Sequence, residues 1–191
     1  DTDGVYQWAH SIGGGGHDGG FGIAVDSDDN VYITGQFTHD NVDFDPDLSH
    51  VVHSIAGDGK PSSTLPWGGK NDRWDVFFAK YDTDGVYQWA HSIGRNKQDK
   101  GHGIAVDKVS GDVYITGEFG KGNCGSTGCV DFDPLREPHT PSSKLSASNS
   151  DVFFAMYDTD GKYQWAHRIG GSKPDTGWAI AVDSDGDVYI T

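Results

Sequence analysis

The sequence predicts an all-β protein: part of a β-propeller built from four-stranded antiparallel blades, about two and a half of them. Three observations carry that prediction. First, the stretch Asp-Thr-Asp-Gly-Val-Tyr-Gln-Trp-Ala-His-Ser-Ile-Gly fills residues 1–13 and returns unchanged at 82–94. It returns again at 158–170, with Lys162 and Arg168 as the only changes. Self-similarity at a long period marks an array of one supersecondary unit. Second, each unit carries four short segments rich in β-branched and aromatic residues, the composition that suits a pleated surface. Third, 28 glycines and many aspartates separate those segments, as tight turns require. Four strands per long repeat favour a propeller blade over a solenoid, whose coils are shorter, parallel and free of hairpin turns.

The units run 1–81, 82–157 and 158–191. In the first, residues 5–12 alternate Tyr6, Trp8 and His10 with Gln7, Ala9 and Ser11, the period of two of a strand. Residues 21–26 (Phe-Gly-Ile-Ala-Val-Asp) are short and apolar and predict a strand buried on both faces. Residues 31–37 (Val-Tyr-Ile-Thr-Gly-Gln-Phe) and 75–81 (Asp-Val-Phe-Phe-Ala-Lys-Tyr) complete the set. The second unit repeats the four at 86–93, 102–107, 113–119 and 151–157. The third holds 162–169, 178–183 and 188–191.

The connections are of two kinds. Asp82-Thr83-Asp84-Gly85 and Asp183-Ser184-Asp185-Gly186-Asp187 read as hairpin turns. Residues 38–74 and 120–150 are long inserts, each with Val-Asp-Phe-Asp-Pro near its start (42–46 and 130–134). Loops of that length are functional or disordered more often than not.

The motif Gly-x-Ile-Ala-Val-Asp-x-x-x-x-Val-Tyr-Ile-Thr-Gly, with Asp-Val-Phe-Phe-Ala-Lys-Tyr-Asp-x-Asp-Gly and Tyr-Gln-Trp-Ala, resembles the SBBP-type β-propeller repeats of secreted and cell-surface bacterial proteins. Val-Asp-Phe-Asp-Pro is similar to that family as well. The resemblance implies a phase with Ile-Ala-Val on the innermost strand. Residues 1–20 then hold an outer strand and loop of a preceding blade, 21–101 and 102–177 two blades, and 178–191 the start of the next. Alternating strand direction puts the tight turns on one face and the inserts on the other, which is the expected binding face. Two blades close no ring, so the expectation is a piece of a longer chain, with self-assembly of several copies as the alternative.

Composition narrows the function. The formal net charge is −15, which disfavours nucleic acid and anionic membrane surfaces. Of the 29 acidic residues only Glu118 and Glu137 are glutamate, so 27 are aspartate. Aspartate is favoured where a short carboxylate bonds its own turn or a metal ion. No hydrolase elbow, zinc-protease, P-loop or dinucleotide motif is present. Cys124 and Cys129 fit a loop staple in an oxidising compartment.

The candidate metal ligands are carboxylates, and calcium is the ion they would suit. Asp26 and Asp28, and Asp183, Asp185 and Asp187, alternate like the opening of a calcium loop but lack its closing glutamate. Asp43 with Asp45, and Asp131 with Asp133, are like-charged pairs on one strand face, needing a cation or neighbouring donors. The competing reading for all nine is turn formation. His10, His91 and His167 recur in every copy and read as packing. Trp67, Trp74, His50 and His53 sit in one insert as candidate contacts. The expected function is a non-enzymatic extracellular or cell-surface module that binds a protein or a surface glycan through its inserts, with calcium as a candidate stabiliser. The alternative is the propeller part of a secreted carbohydrate-active enzyme.

Overall fold

A computed structural model describes residues 2–38, 42–45, 64–65, 74–94, 97–120, 129–135 and 143–191. The strands, in order, are β1 (Asp18–Val25), β2 (Val31–Phe37), β3 (Val42–Asp43), β4 (Thr64–Leu65), β5 (Asp75–Tyr81), β6 (Tyr87–Ile93) and β7 (Lys100–Val106). They continue with β8 (Val113–Phe119), β9 (Val130–Asp131), β10 (Lys144–Leu145), β11 (Asp151–Tyr157), β12 (Tyr163–Ile169), β13 (Ile180–Val182) and β14 (Val188–Ile190). No α-helix occurs among the described residues.

β1-β2-β5-β6 form one four-stranded sheet and β7-β8-β11-β12 another, each pair antiparallel. β13 and β14 make a two-stranded hairpin. β7 packs against β1 and β2, and β13 packs against β7 and β8, so the first strands of successive sheets stand side by side. The chain is therefore two four-stranded blades and the opening hairpin of a third. Each insert also forms a two-stranded ribbon the sequence did not reveal, β3 with β4 and β9 with β10.

Three expectations change. Residues 5–12 lie outside any sheet. Their copies β6 and β12 pair with β5 and β11, and residues 5–12 have no such partner strand among the described residues. β1 and β7 begin earlier than expected, at Asp18 and Lys100, because Asp18, Gly19 and Lys100 still pair with β2 and β8 across a bulge. The apolar 21–26 segment is not buried on both faces in its first copy. Phe21, Ile23 and Val25 are exposed on β1, whereas Ile104 and Val106 are buried on β7, which has a neighbour on each side.

One core fills the space between the two blades. Phe78 meets Tyr157 at 4.5 Å between ring centroids. Tyr32, Val76, Trp89 and Ile93 of the first blade face Ile115, Phe153 and Ala155 of the second in the same cluster. Sheets that radiate from an axis diverge outward, and the inserts fill the widening gap. Phe132 is wholly buried against Phe119 and Phe153, and the Tyr157 hydroxyl donates to its carbonyl at 2.8 Å. Phe44 repeats this against Phe37 and Phe77, with Tyr81 donating to its carbonyl at 2.7 Å. Truncating a buried phenylalanine costs about 3–5 kcal/mol, so each wedge is a major blade contact.

Candidate functional site

The acidic turns are built alike. Asp26 Oδ1 accepts from the amides of Asp28 and Asn30, both at 2.9 Å. Its Oδ2 accepts from Asn30 Nδ2 and from the Tyr32 hydroxyl, again at 2.9 Å. Burial pushes the Asp26 carboxyl up, but these hydrogen bonds outweigh it and hold the group below the ordinary carboxylate value. Asp183 does the same with the amides of Asp185 and Asp187 and with the Tyr189 hydroxyl. Asp82, Asp107 and Asp158 open the other turns in the same manner. Asp28, Asp185 and Asp187 point to solvent. The carboxylate that opens each turn is thus engaged by donors of its own turn.

The two Asp-Phe-Asp pairs also bind their own backbone. Asp43 Oδ1 accepts the Asp45 amide at 3.0 Å, and Asp131 Oδ1 accepts the Asp133 amide at 3.2 Å. Asp133 in turn accepts from the Leu135 amide at 3.1 Å. Amide donors thus face Asp43, Asp131 and Asp133 and offset part of the repulsion within each pair. Among the described residues no group of three or more His, Cys, Asp or Glu side chains is arranged to hold a metal ion.

The thrice-repeated stretch supplies both halves of a joint between blades. Trp89 and His91 on β6 stack at 5.1 Å, and the Trp89 indole donates to the Thr159 carbonyl at 3.3 Å. Thr159 belongs to the turn 158–161 of the next blade. The His91 ring lies so close over Gly161 that any Cβ there would collide with it, and Gly161 has φ +77. Trp8 and His10 repeat the joint on the turn 82–85. Their rings stack at 5.1 Å, the Trp8 indole donates to the Thr83 carbonyl at 3.0 Å, and a Cβ on Gly85 would lie 2.7 Å from the His10 ring. His91 is buried, and burial pushes its pKa down to about 4 against the pull of the Asp160 main chain and the Asp133 and Asp158 carboxylates. His10 and His91 are packing groups, as expected, but they pack on the neighbouring blade's turn.

A second cluster lies where the innermost strands meet the insert face. The bulges at Gly20–Gly22 and Gly101–Gly103 leave Phe21 and His102 unpaired in the ladder. A bulge re-aims its extra side chain. Phe21, His102 and Trp178, at equivalent positions, form a row with centroids 5.6 and 4.7 Å apart. Beside it, Glu118 pairs with Lys100 at 2.9 Å and accepts from Thr176 and Ser150. Burial raises the Glu118 carboxyl, but Lys100 and the two hydroxyls prevail and hold it ionised below its ordinary value. Sequence reasoning missed this cluster. Its signal was Glu118, one of two glutamates in a chain whose other acidic residues are all aspartate.

Comparison with known proteins agrees with this architecture. The family described as the SBBP beta-propeller repeat matches residues 7–41 and 88–118. These segments are SBBP β-propeller repeats. The chain is also 26% identical, along its whole length, to an uncharacterized WD repeat-containing protein, L264, of Acanthamoeba polyphaga mimivirus. Over 138 residues, 72% of the chain, it is 30% identical to the regulatory protein FlaEY of Caulobacter vibrioides. It spans 13% of the length of each of these relatives.

Three of the expected insert contacts, Trp67, His50 and His53, lie outside the described residues. Trp74 lies within them, its ring 6.2 Å from that of His17, so it anchors the end of the insert on the preceding loop. Cys129 is buried and disulfide-bonded. The chain has one other cysteine, Cys124, outside the described residues.

Proposed function

We propose that the chain is a non-enzymatic extracellular scaffold that binds a protein or surface glycan at the insert-face end of its innermost strands. One observation carries this reading. The blade residues repeat almost without change, while the positions that gather at this end differ from copy to copy. Phe21, His102 and Trp178 are equivalent, as are Gly19, Lys100 and Thr176, and as are Gln36 and Glu118. Repeat scaffolds keep their packing residues constant and vary the residues that meet a partner. Aromatic rings beside paired donors and acceptors suit apolar sugar faces and protein side chains alike. The Cys129 disulfide supports an oxidising compartment.

The test is a binding screen of the immobilised chain against purified polysaccharides and extracellular proteins. The control is a Phe21→Ala/Lys100→Ala/Trp178→Ala variant of unchanged circular dichroism. Binding that drops at least tenfold in the variant supports the reading. A variant that binds as well as the parent, or a parent that binds nothing in the panel, removes it.

A further inference from the structure

The exposed charges of the blades are sorted between their two faces. Among the described residues every exposed carboxylate side chain lies in a tight turn, as Asp28, Asp84, Asp160 and Asp185 do. On the insert face the exposed charges among the described residues are cations: Lys97, Lys144, Arg168 and Lys173. The carboxylates described there are drawn inward. Asp75, Asp99, Asp133 and Asp151 are buried, and Asp18, Asp175 and Glu118 are half-buried. The loop and insert residues outside the described set hold six basic and five acidic side chains, a near balance. A chain of formal charge −15 thus keeps its outward acid on the tight-turn face.

The loops that lead into the innermost strands show how the sorting is built. In each, an aspartate folds back onto the main chain. Asp18 accepts from the Gly14 amide and Asp175 from the Gly171 amide, both at 3.0 Å. Asp99 accepts from the Gly120 amide at 2.9 Å. The lysine two places earlier, Lys97 or Lys173, stays exposed. Glu118, beside the aromatic row, is engaged by Lys100, Ser150 and Thr176. Residues 94–101 stand between two blades, and the His102 ring that follows has Phe21 on one side and Trp178 on the other. The charge difference runs from face to face, across the direction in which blade follows blade, so packing of blade on blade leaves it open.

We infer that the ligand of the insert face is an acidic polysaccharide, one with carboxylates on part of its sugars. This rests on the proposed binding function and names its ligand class. An aromatic position repeated once per blade suits the apolar faces of successive sugars. Lys97 and Lys173, on the loops leading into that row, meet the carboxylates. Such charge complementarity selects the partner and speeds encounter. A nucleic acid fits less well, because a phosphate at every nucleotide would meet a molecule of charge −15. An acidic protein would satisfy the lysines but offers no repeating apolar face to a row of rings.

Binding titrations with low-ester pectin, alginate and hyaluronan, each beside its methyl ester, test this. Esterification removes the charge and keeps the sugar chain. The parent should bind at least one of the three about tenfold or more tighter than its ester at about 50 mM salt, and the preference should shrink at about 500 mM. Lys97→Gln/Lys173→Gln should bind that acidic form about tenfold more weakly and its ester unchanged. Lys108→Gln/Lys162→Gln makes the same charge change on the tight-turn face and should bind as the parent does. All four lysines are exposed, and circular dichroism checks that the fold is kept. Binding of none of the three, equal binding of acid and ester, equal losses in the two double variants, or tighter binding of a poly-dT oligonucleotide or polyglutamate would each overturn the inference. A parent that binds a neutral glycan or an extracellular protein in the earlier screen, but shows no preference for acid over ester, removes this inference and leaves the proposed function standing. A parent that binds nothing in either experiment removes both.

Discussion

Acid should open the joint between the two blades, and His91 sets the range. Its imidazole is 5% exposed, and its Nε2 has no hydrogen-bond partner. The groups around it are the Trp89 and Phe78 rings, the Asp160–Gly161 backbone, and the carboxylates of Asp133 and Asp158. Burial lowers its pKa from 6.5 to about 4, with those carboxylates only partly opposing the shift. Above pH 6.5 the ring is neutral in the folded and the unfolded chain, and the joint is at full strength. As pH falls toward 4 the unfolded chain takes up a proton that the folded chain refuses, so stability declines. Between pH 7.5 and 4.5 the linkage is on the order of 2–3 kcal/mol. That is a large part of the roughly 5–15 kcal/mol that holds a typical domain. Urea unfolding at the two pH values, for the parent and for His91→Leu, isolates the effect, because the other titrating groups contribute to both. The parent should lose roughly 2–3 kcal/mol more than the variant, and the His91 ring signal in NMR should titrate near pH 4. An NMR midpoint at or above 6.5, or equal pH slopes for both proteins, would refute the reasoning.

Three further outcomes follow from the same contacts. Gly161→Ala should destabilise the chain by about 2–4 kcal/mol in urea unfolding, combining a left-handed backbone with a collision against His91, whereas Gly4→Ala should cost only about 1 kcal/mol. Chelation with EGTA should leave the melting temperature unchanged, because the turn-opening carboxylates are held by their own amides; a drop of several degrees would show that calcium has a structural part. Reduction with dithiothreitol should lower stability by about 2 kcal/mol if Cys129 closes the short loop to Cys124. An unchanged melt after complete reduction would leave the staple without structural weight.

Much of the fold was legible because a propeller blade is written locally. β2, β5, β8 and β11 fall where β-branched and aromatic runs meet Asp-Gly turns, and the period of two placed their faces. What escaped depends on neighbours that no local pattern records. Residues 5–12 share their sequence with β6, but a strand needs a partner, and β5 is what makes β6 one. The exposure of Ile23 against the burial of Ile104 has the same origin. The β3–β4 and β9–β10 ribbons are only two residues per strand, too short for any period to show. The candidate site was less legible. Carboxylates at alternate positions serve a turn and a calcium ion equally well in a sequence, and the amide donors that engage them become visible only in three dimensions.

The turns also explain why this chain uses aspartate almost to the exclusion of glutamate. In each tight turn one carboxylate reaches an amide two residues on, and four of these carboxylates reach a second amide four residues on, as Asp26, Asp82, Asp158 and Asp183 do. A glutamate, one methylene longer, would overshoot the first amide and pay more rotamer entropy to reach the second. The positions that open these turns therefore hold aspartate. Glu118 obeys the opposite rule: it reaches from β8 to Lys100 on its own blade and to Thr176 at the start of the next. Spanning two blades needs the longer side chain, and one of the few glutamates in the sequence sits where the structure asks for that reach.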